Sequence, residues 1–186
     1  MSDLFAGVRD DIADALDALL PTHSDIAQPM VDAMRHAVLG GGKRMRPLMA
    51  CAACEAFSGS FKAALPAACG LEFIHAYSLI HDDLPAMDDD ELRHGQAATH
   101  VAFGEANAIL AGDSLHSLVF QSLAAAPGLS QAAKLRCITL MSTAAGWPGM
   151  AGSQCLDIAA EGENLSLARL EALHSEKDRK STRLNS

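Results

Sequence analysis

The 186-residue chain is 49% hydrophobic and 20% charged, which excludes a low-hydrophobicity disordered chain and leaves enough length for one domain with a real core. Aromatics are only 4% and the apolar weight falls on Ala, Leu, Ile, Val and Met, so an all-α fold is expected from helix propensity alone. Twenty-three acids against 14 bases leave a formal charge of -9, which argues against a nucleic-acid partner; an anion site would need local basic groups or metal ions.

The pattern along the chain is helix after helix. Residues 2–20 place Phe5, Val8, Ile12, Leu16, Leu19 and Leu20 on one face, mostly at spacings of three and four, an amphipathic stripe. Pro21 and Thr22 break it, and a second helix runs to Leu39, where Gly40-Gly41-Gly42 stops it. A third helix starts near Arg46-Pro47 and ends by Ser58-Gly59-Ser60, and a fourth covers about 63–83. Pro85 and the acids behind it predict an irregular connection. Further helices are predicted at 101–125, 130–145, 149–160 and 165–176, with no strand-like alternation, internal repeat or interdomain linker.

Cys51, Cys54, Cys69, Cys137 and Cys155 are scattered. The Cys51-Cys54 pair sits in an Ala-rich helical stretch with no second pair, so small core-facing thiols are expected rather than a metal or redox site. No secretory segment precedes them, and no uninterrupted apolar run reaches the roughly 18 residues of a membrane span. The chain reads as cytoplasmic, soluble and reduced, with no membrane span. The last nine residues, DRKSTRLNS, abandon the apolar periodicity and carry three bases and one acid. One reverse translation of them, begun on the last base of a Lys177 codon, spells a common sequencing adapter. Residues 1–177 are therefore expected to be the native part of one domain, and 178–186 a non-native tail.

The chemistry concentrates in His81-Asp82-Asp83-Leu84-Pro85-Ala86-Met87-Asp88-Asp89-Asp90-Glu91, six carboxylates within ten residues directly after the apolar run LEFIHAYSLI. Taken alone, an acidic run is usually a solvated loop. Carboxylates that emerge from a core helix, however, stand at the mouth of a cavity, where they need a counter-ion. Hard oxygen ligands of this kind suit Mg²⁺, which commonly bridges to substrate phosphates. Two basic clusters complement them: Lys43, Arg44 and Arg46 after the triple glycine, and Arg93 with His94 after the acids. Free backbone N–H groups at a helix start and bidentate Arg contacts both favour phosphate.

Together, GGGKRMRPLM, EFIHAYSLIHDDLPAMDDDELRHG and HVAFGEANAILAGD resemble the trans-isoprenyl diphosphate synthases, of the short-chain bacterial farnesyl diphosphate synthase type. The resemblance runs over about 30–177 and includes GSQCLDIAAEG and LHSEK. It implies an isoprenoid-synthase-type helical bundle around a central cavity, with the C-terminal helices and a second aspartate-rich motif missing here. It also implies a prenyltransferase that joins isopentenyl diphosphate to an allylic diphosphate (dimethylallyl or geranyl) by Mg²⁺-assisted ionisation, in a homodimer when full length; the chain as written is expected to be inactive.

By the same resemblance, Asp82 and Asp88 ligate the metal, with Asp83 supporting them or solvated. Arg93 and Lys177 hold the allylic diphosphate, and Lys43, Arg46 and His75 hold that of isopentenyl diphosphate. His75 precedes Asp82 by two helical turns, so both are expected to face one cavity. The family carries Arg where this chain has His94. An imidazole lacks the fixed charge and fork of a guanidinium, so isopentenyl diphosphate is expected to bind more weakly, increasingly so above about pH 6.5. Tyr77, five residues before Asp82, is expected to be the cavity floor that stops elongation at the farnesyl length. His100 and His116 are read as structural or surface groups, and His174 is placed in the helix leading to Lys177. Two other readings stand beside this one: a helical metal-dependent phosphohydrolase built on His81-Asp82, and a non-catalytic prenyltransferase subunit.

Overall fold

The computed structural model describes residues 2–58 and 60–160; the predicted helix at 165–176, His174, Lys177, the 178–186 tail and the Phe5 side chain lie outside the described residues. The chain divides into two compact units, residues 1–130 and 131–186. In the first unit the elements are α1 (Ser2–Leu19), α2 (Gln28–Leu39), α3 (Met45–Ser58), a 3-10 turn (Phe61–Ala64), α4 (Leu65–Asp82), the two-residue strands β1 (Leu92–Arg93) and β2 (Gln96–Ala97), α5 (Thr99–Phe103) and α6 (Glu105–Ala125). The second unit contains α7 (Gln131–Ala145) and α8 (Met150–Ala160). The expected all-α class is what the structure shows.

Helix α4 is the spine of the first unit. It packs most extensively against α6 and then against α3, while α1 and α2 also touch it. Its apolar run buries Ala68, Cys69, Phe73, Ala76 and Ile80, facing a seam of small and branched residues on α6: Ala108, Ala111, Leu115, Val119 and Leu123. Small residues let the two backbones approach closely, and the larger ones interlock above and below them. The α1 stripe closes one side with Ile12, Leu16 and Leu20. By length and composition the segment Phe61–Asp82 is apolar enough to cross a membrane, with mean hydropathy 1.3. Of its most apolar 18-residue stretch, 39% is buried within the fold. Cys51 and Cys69 face this core as small hydrophobes, and burial pushes their thiols up to about 11 and about 12.

The expected helix at 101–125 is two helices. Gly104, at φ 82°, takes a left-handed conformation that ends α5, with its N–H donated to the His100 carbonyl, and redirects the chain into α6. The stretch after the acidic run, too short for any alternation to register, is a hairpin pairing Leu92 with Ala97 and Arg93 with Gln96. Its turn residues, His94 and Gly95, both have positive φ (54° and 80°), as a tight two-residue turn between right-twisted strands requires.

Between α2 and α3 the backbone needs the glycines: Gly41 and Gly42 both sit at φ 115°, where a Cβ is strained. Arg44 then turns inward, donating to the Val38 carbonyl at 2.5 Å and pairing with Glu72 of α4. Both side chains are largely buried, so the pair anchors the glycine loop to the spine. Arg44→Met should cost about 3–5 kcal/mol, because it strands a buried carboxylate. A urea midpoint equal to that of the unaltered protein would show that the anchor contributes nothing.

Candidate active site

Everything chemical converges on the C-terminal end of α4. Asp82 ends the helix and Asp83 caps it. The Leu84–Asp89 segment then folds back on the helix end: the Met87 and Asp89 N–H groups donate to the Leu84 carbonyl, and the Asp88 N–H donates to the Asp82 carbonyl at 2.8 Å. The irregular connection predicted from Pro85 is therefore a hydrogen-bonded loop that carries Asp88 back beside Asp82. Burial first, then the charges of Asp88 and Asp83, push the Asp82 carboxyl above its usual range, with Arg93 and His81 opposing.

Asp83 behaves differently. The expectation that it supports the metal site or is solvated meets a carboxylate only 2% exposed and held by Arg93. Arg93 Nε donates to Asp83 Oδ1 at 3.0 Å, and Nη2 reaches both that carboxylate and, at 2.9 Å, Asp90. The hairpin is what brings Arg93 there. Its Nη1 makes no hydrogen bond among the described residues and is left for an anion.

A cavity of about 630 Å³ opens beside this pair. Lys43 and Arg46 enter it from the glycine loop and α3, His75 from α4, and Arg93 and His94 from the hairpin. With Asp83, six site positions named from sequence thus share one cavity. The wall contributed by α4 runs through Glu72, His75, Leu79 and Asp83; Asp82 lies outside that lining. His75 and Asp82 stand two turns apart on α4, but the expectation that both face one cavity is not met, since only His75 lines it. Lys43 and Arg46 make no ion pair among the described residues, so a protein of net charge -9 presents unneutralised cations in this cavity.

Tyr77 is also outside the cavity lining. Its ring meets His81 edge-on at 5.7 Å and His116 of α6 at 5.0 Å, and His116 continues to Phe120 at 5.2 Å. His116, read from sequence as structural or surface, is part of this half-buried aromatic row. His81 Nε2 lies 3.2 Å from the Ile109 carbonyl, which can only accept, so that nitrogen carries the proton and is spent. Nδ1 is then the nitrogen through which the His81-Asp82 phosphohydrolase reading would have to hold a metal.

Asp82 and Asp88 fit a hard divalent cation. The ionised form of Asp82 is disfavoured by burial and by the charge of Asp88, and two carboxylates would leave most of a Mg²⁺ shell to water and diphosphate oxygens. Among the described residues no group of three His, Cys, Asp or Glu side chains is placed to hold a metal ion. Glu72, His36 and Gln96 also border the cavity and were not singled out from sequence. Glu72 had a signal, a lone acid inside LEFIHAYSLI, whereas the other two are placed only by tertiary contacts.

Comparison with known proteins decides the relationship. Residues 27–185 match the polyprenyl synthetase family. This chain belongs to that family. It is 48% identical over 151 residues to the farnesyl diphosphate synthase of Escherichia coli (strain K12), covering 80% of this chain and 50% of that protein. It is 43% identical over 169 residues to the heterodimeric geranylgeranyl pyrophosphate synthase large subunit 1, chloroplastic, of Arabidopsis thaliana, covering 88% of this chain and 45% of that one. The crystal structure of an FPP/GFPP synthase from Zymomonas mobilis superposes with a TM-score of 0.88 at 38% identity, covering 96% of this chain and 66% of the other. The chain spans about half the length of the curated relatives it matches.

Burial, and next the charge of Arg46, hold the His75 imidazole below its ordinary pKa of 6.5; His94 and Arg44 add to this and Glu72 opposes it. The unfolded chain therefore takes up this proton at higher pH than the folded one. The stability that follows is present above pH 6.5 and is lost as the pH falls below it. His75→Gln should reduce that acid-side fall in Tm; thermal unfolding curves that fall equally in both proteins would assign the effect elsewhere.

Proposed function

We propose that the protein to which this chain belongs is a short-chain trans-prenyltransferase that condenses isopentenyl diphosphate with dimethylallyl or geranyl diphosphate to give farnesyl diphosphate. The observation that carries this reading is the cavity in which unpaired Lys43 and Arg46, with His75, face Arg93 and His94, beside the Asp82–Asp88 carboxylate pair. A site with free cations on one side and metal-seeking carboxylates at its edge suits two diphosphates, one of them bound with metal. The names of the relatives, farnesyl and geranylgeranyl synthases, support the same substrate class.

In this reading Lys43, Arg46 and His75 hold the diphosphate of isopentenyl diphosphate, with His94 at the rim. Arg93, charged and fixed by Asp83, offers Nη1 to the allylic diphosphate; Lys177, outside the described residues, would join it. Asp82 and Asp88 would hold Mg²⁺, which supplies neutralisation of the negative charge that develops on the departing pyrophosphate. The allylic C–O bond breaks, the double bond of isopentenyl diphosphate forms the new C–C bond to the allylic carbon, and a proton is lost. The basic side chains hold the two partners in line, which is where most of the rate advantage of a two-substrate reaction originates. Tyr77, in its aromatic row five residues before Asp82, would be the floor that limits product length. A homodimer and a cytoplasmic location complete the reading, the latter in keeping with cysteines that form no disulfide.

Two measurements test this. Calorimetry with geranyl diphosphate should show binding that requires Mg²⁺ and is weakened at least about 10-fold by Asp82→Asn, which removes one charge from the metal pair; binding indifferent to Mg²⁺ would sink the metal assignment. In prenyl-transfer assays on the whole protein, Tyr77→Ala should move the product beyond the farnesyl length, and an unchanged product would remove Tyr77 as the floor.

A further inference from the structure

The cavity's two basic clusters lie on separate pieces of chain. Lys43 and Arg46 belong to the glycine loop and α3, whereas Arg93 and His94 ride on a hairpin of two-residue strands, which is too short to be stable by itself. Asp83 holds one side of that hairpin. The other side rests on the last turn of α2, immediately before the glycine loop. His36 Nε2 lies 2.9 Å from the Ala97 carbonyl of β2. Because a carbonyl only accepts, Nε2 is the protonated nitrogen and donates. The same ring meets Phe103 of α5 edge-on, with centroids 5.3 Å apart. One turn further along, the Gln96 side chain occupies the space beside Gly40: a Cβ there would lie 2.8 Å from Gln96 Oε1. Both His36 and Gly40 line the cavity.

We propose that His36 is a positioning residue which seats the Leu92–Ala97 hairpin on α2 and thereby sets the spacing between the Lys43/Arg46 cluster and the Arg93/His94 cluster. The proposal rests on the diphosphate reading of the cavity. Its action is indirect: the imidazole bonds backbone, not substrate, and fixes where two other side chains stand. A hydrogen bond from a ring wedged against Phe103 has little rotational freedom, so it locates the Ala97 carbonyl, and hence the strand, more tightly than a surface contact would.

His36→Phe keeps an aromatic ring against Phe103 and deletes only the donor; His36→Gln restores a donor without the ring. Two readouts are taken on the 186-residue chain: amide hydrogen exchange at Ala98, whose N–H donates to the Glu91 carbonyl across the hairpin base at 2.8 Å, and the affinity for inorganic pyrophosphate. His36→Phe should speed exchange at Ala98 and weaken pyrophosphate binding about 5- to 10-fold, the equivalent of one hydrogen bond. His36→Gln should recover most of both, and exchange in the α4–α6 core should not change in either variant. Unaltered Ala98 exchange in His36→Phe would overturn the seat. Faster exchange with unaltered affinity would overturn the link between the seat and the anion site. If the unsubstituted chain binds no pyrophosphate, the proposed function fails along with that link, while the exchange result still decides whether His36 seats the hairpin.

Discussion

The burial of Asp83 against Arg93 is the constraint from which the rest of the site follows. A carboxylate 2% exposed at the end of an apolar helix is tolerable only with a matched cation and well-formed hydrogen bonds. Arg93 supplies these through Nε and Nη2, and it reaches them only if residues 92–97 turn back as a hairpin. The hairpin then carries His94 and Arg93 into the cavity lining. A second buried pair, Arg44 with Glu72, does the same for the opposite wall by tying the glycine loop to α4. Two already neutralised charge pairs thus border the cavity, while Lys43 and Arg46 make no ion pair among the described residues.

This division of labour resolves a tension in the composition. A protein with nine excess negative charges is an unpromising anion binder on average, yet the average has no bearing on a cavity whose exposed charges are locally cationic. The acidic excess is partly explained by the same site: six of the 23 acids lie between Asp82 and Glu91. Among them, Asp83 and Asp90 serve Arg93, while Asp82 and Asp88 are brought together by a backbone hydrogen bond into a pair that lacks an internal counter-ion. Burial and the neighbouring charge of Asp88 raise the Asp82 carboxyl above its usual range, which a divalent cation would relieve. Chain connectivity therefore places the Asp82–Asp88 pair and the Arg93–His94 hairpin within one loop of each other.

Much of the fold was legible because helices announce themselves locally. Leu16 and Ile12, one turn apart, predicted the buried face of α1, and the triple glycine predicted the end of α2. Misreadings came where one residue's backbone conformation decided the outcome: Gly104 split one expected helix into two, and a two-residue turn at His94-Gly95 made strands too short to have a period. At the site, the identities of Lys43, Arg46, His75 and Arg93 followed from a motif resemblance, and the structure brings those four into one cavity. Asp82 and Tyr77, expected to face it, lie outside its lining, because helical spacing gives a direction from the axis but not which neighbour closes the space.

The sequence by itself determined the helical class, the order of the elements, the family, and the residue types that diphosphate and Mg²⁺ chemistry requires. These depend on short-range periodicity and on contiguous motifs, which are local properties of the chain. Only the tertiary structure decided which charges are spent and which are free. Arg44 and Arg46 are two residues apart in one basic cluster, yet the first is buried on Glu72 and the second is open to the cavity. Asp82 and Asp83 are adjacent, yet one is paired with Arg93 and the other is left beside Asp88. His36 acquires a role through a partner 61 residues away. Pairing and burial depend on contacts between segments distant in sequence, and the energy of a charge is set by those contacts rather than by its neighbours along the chain.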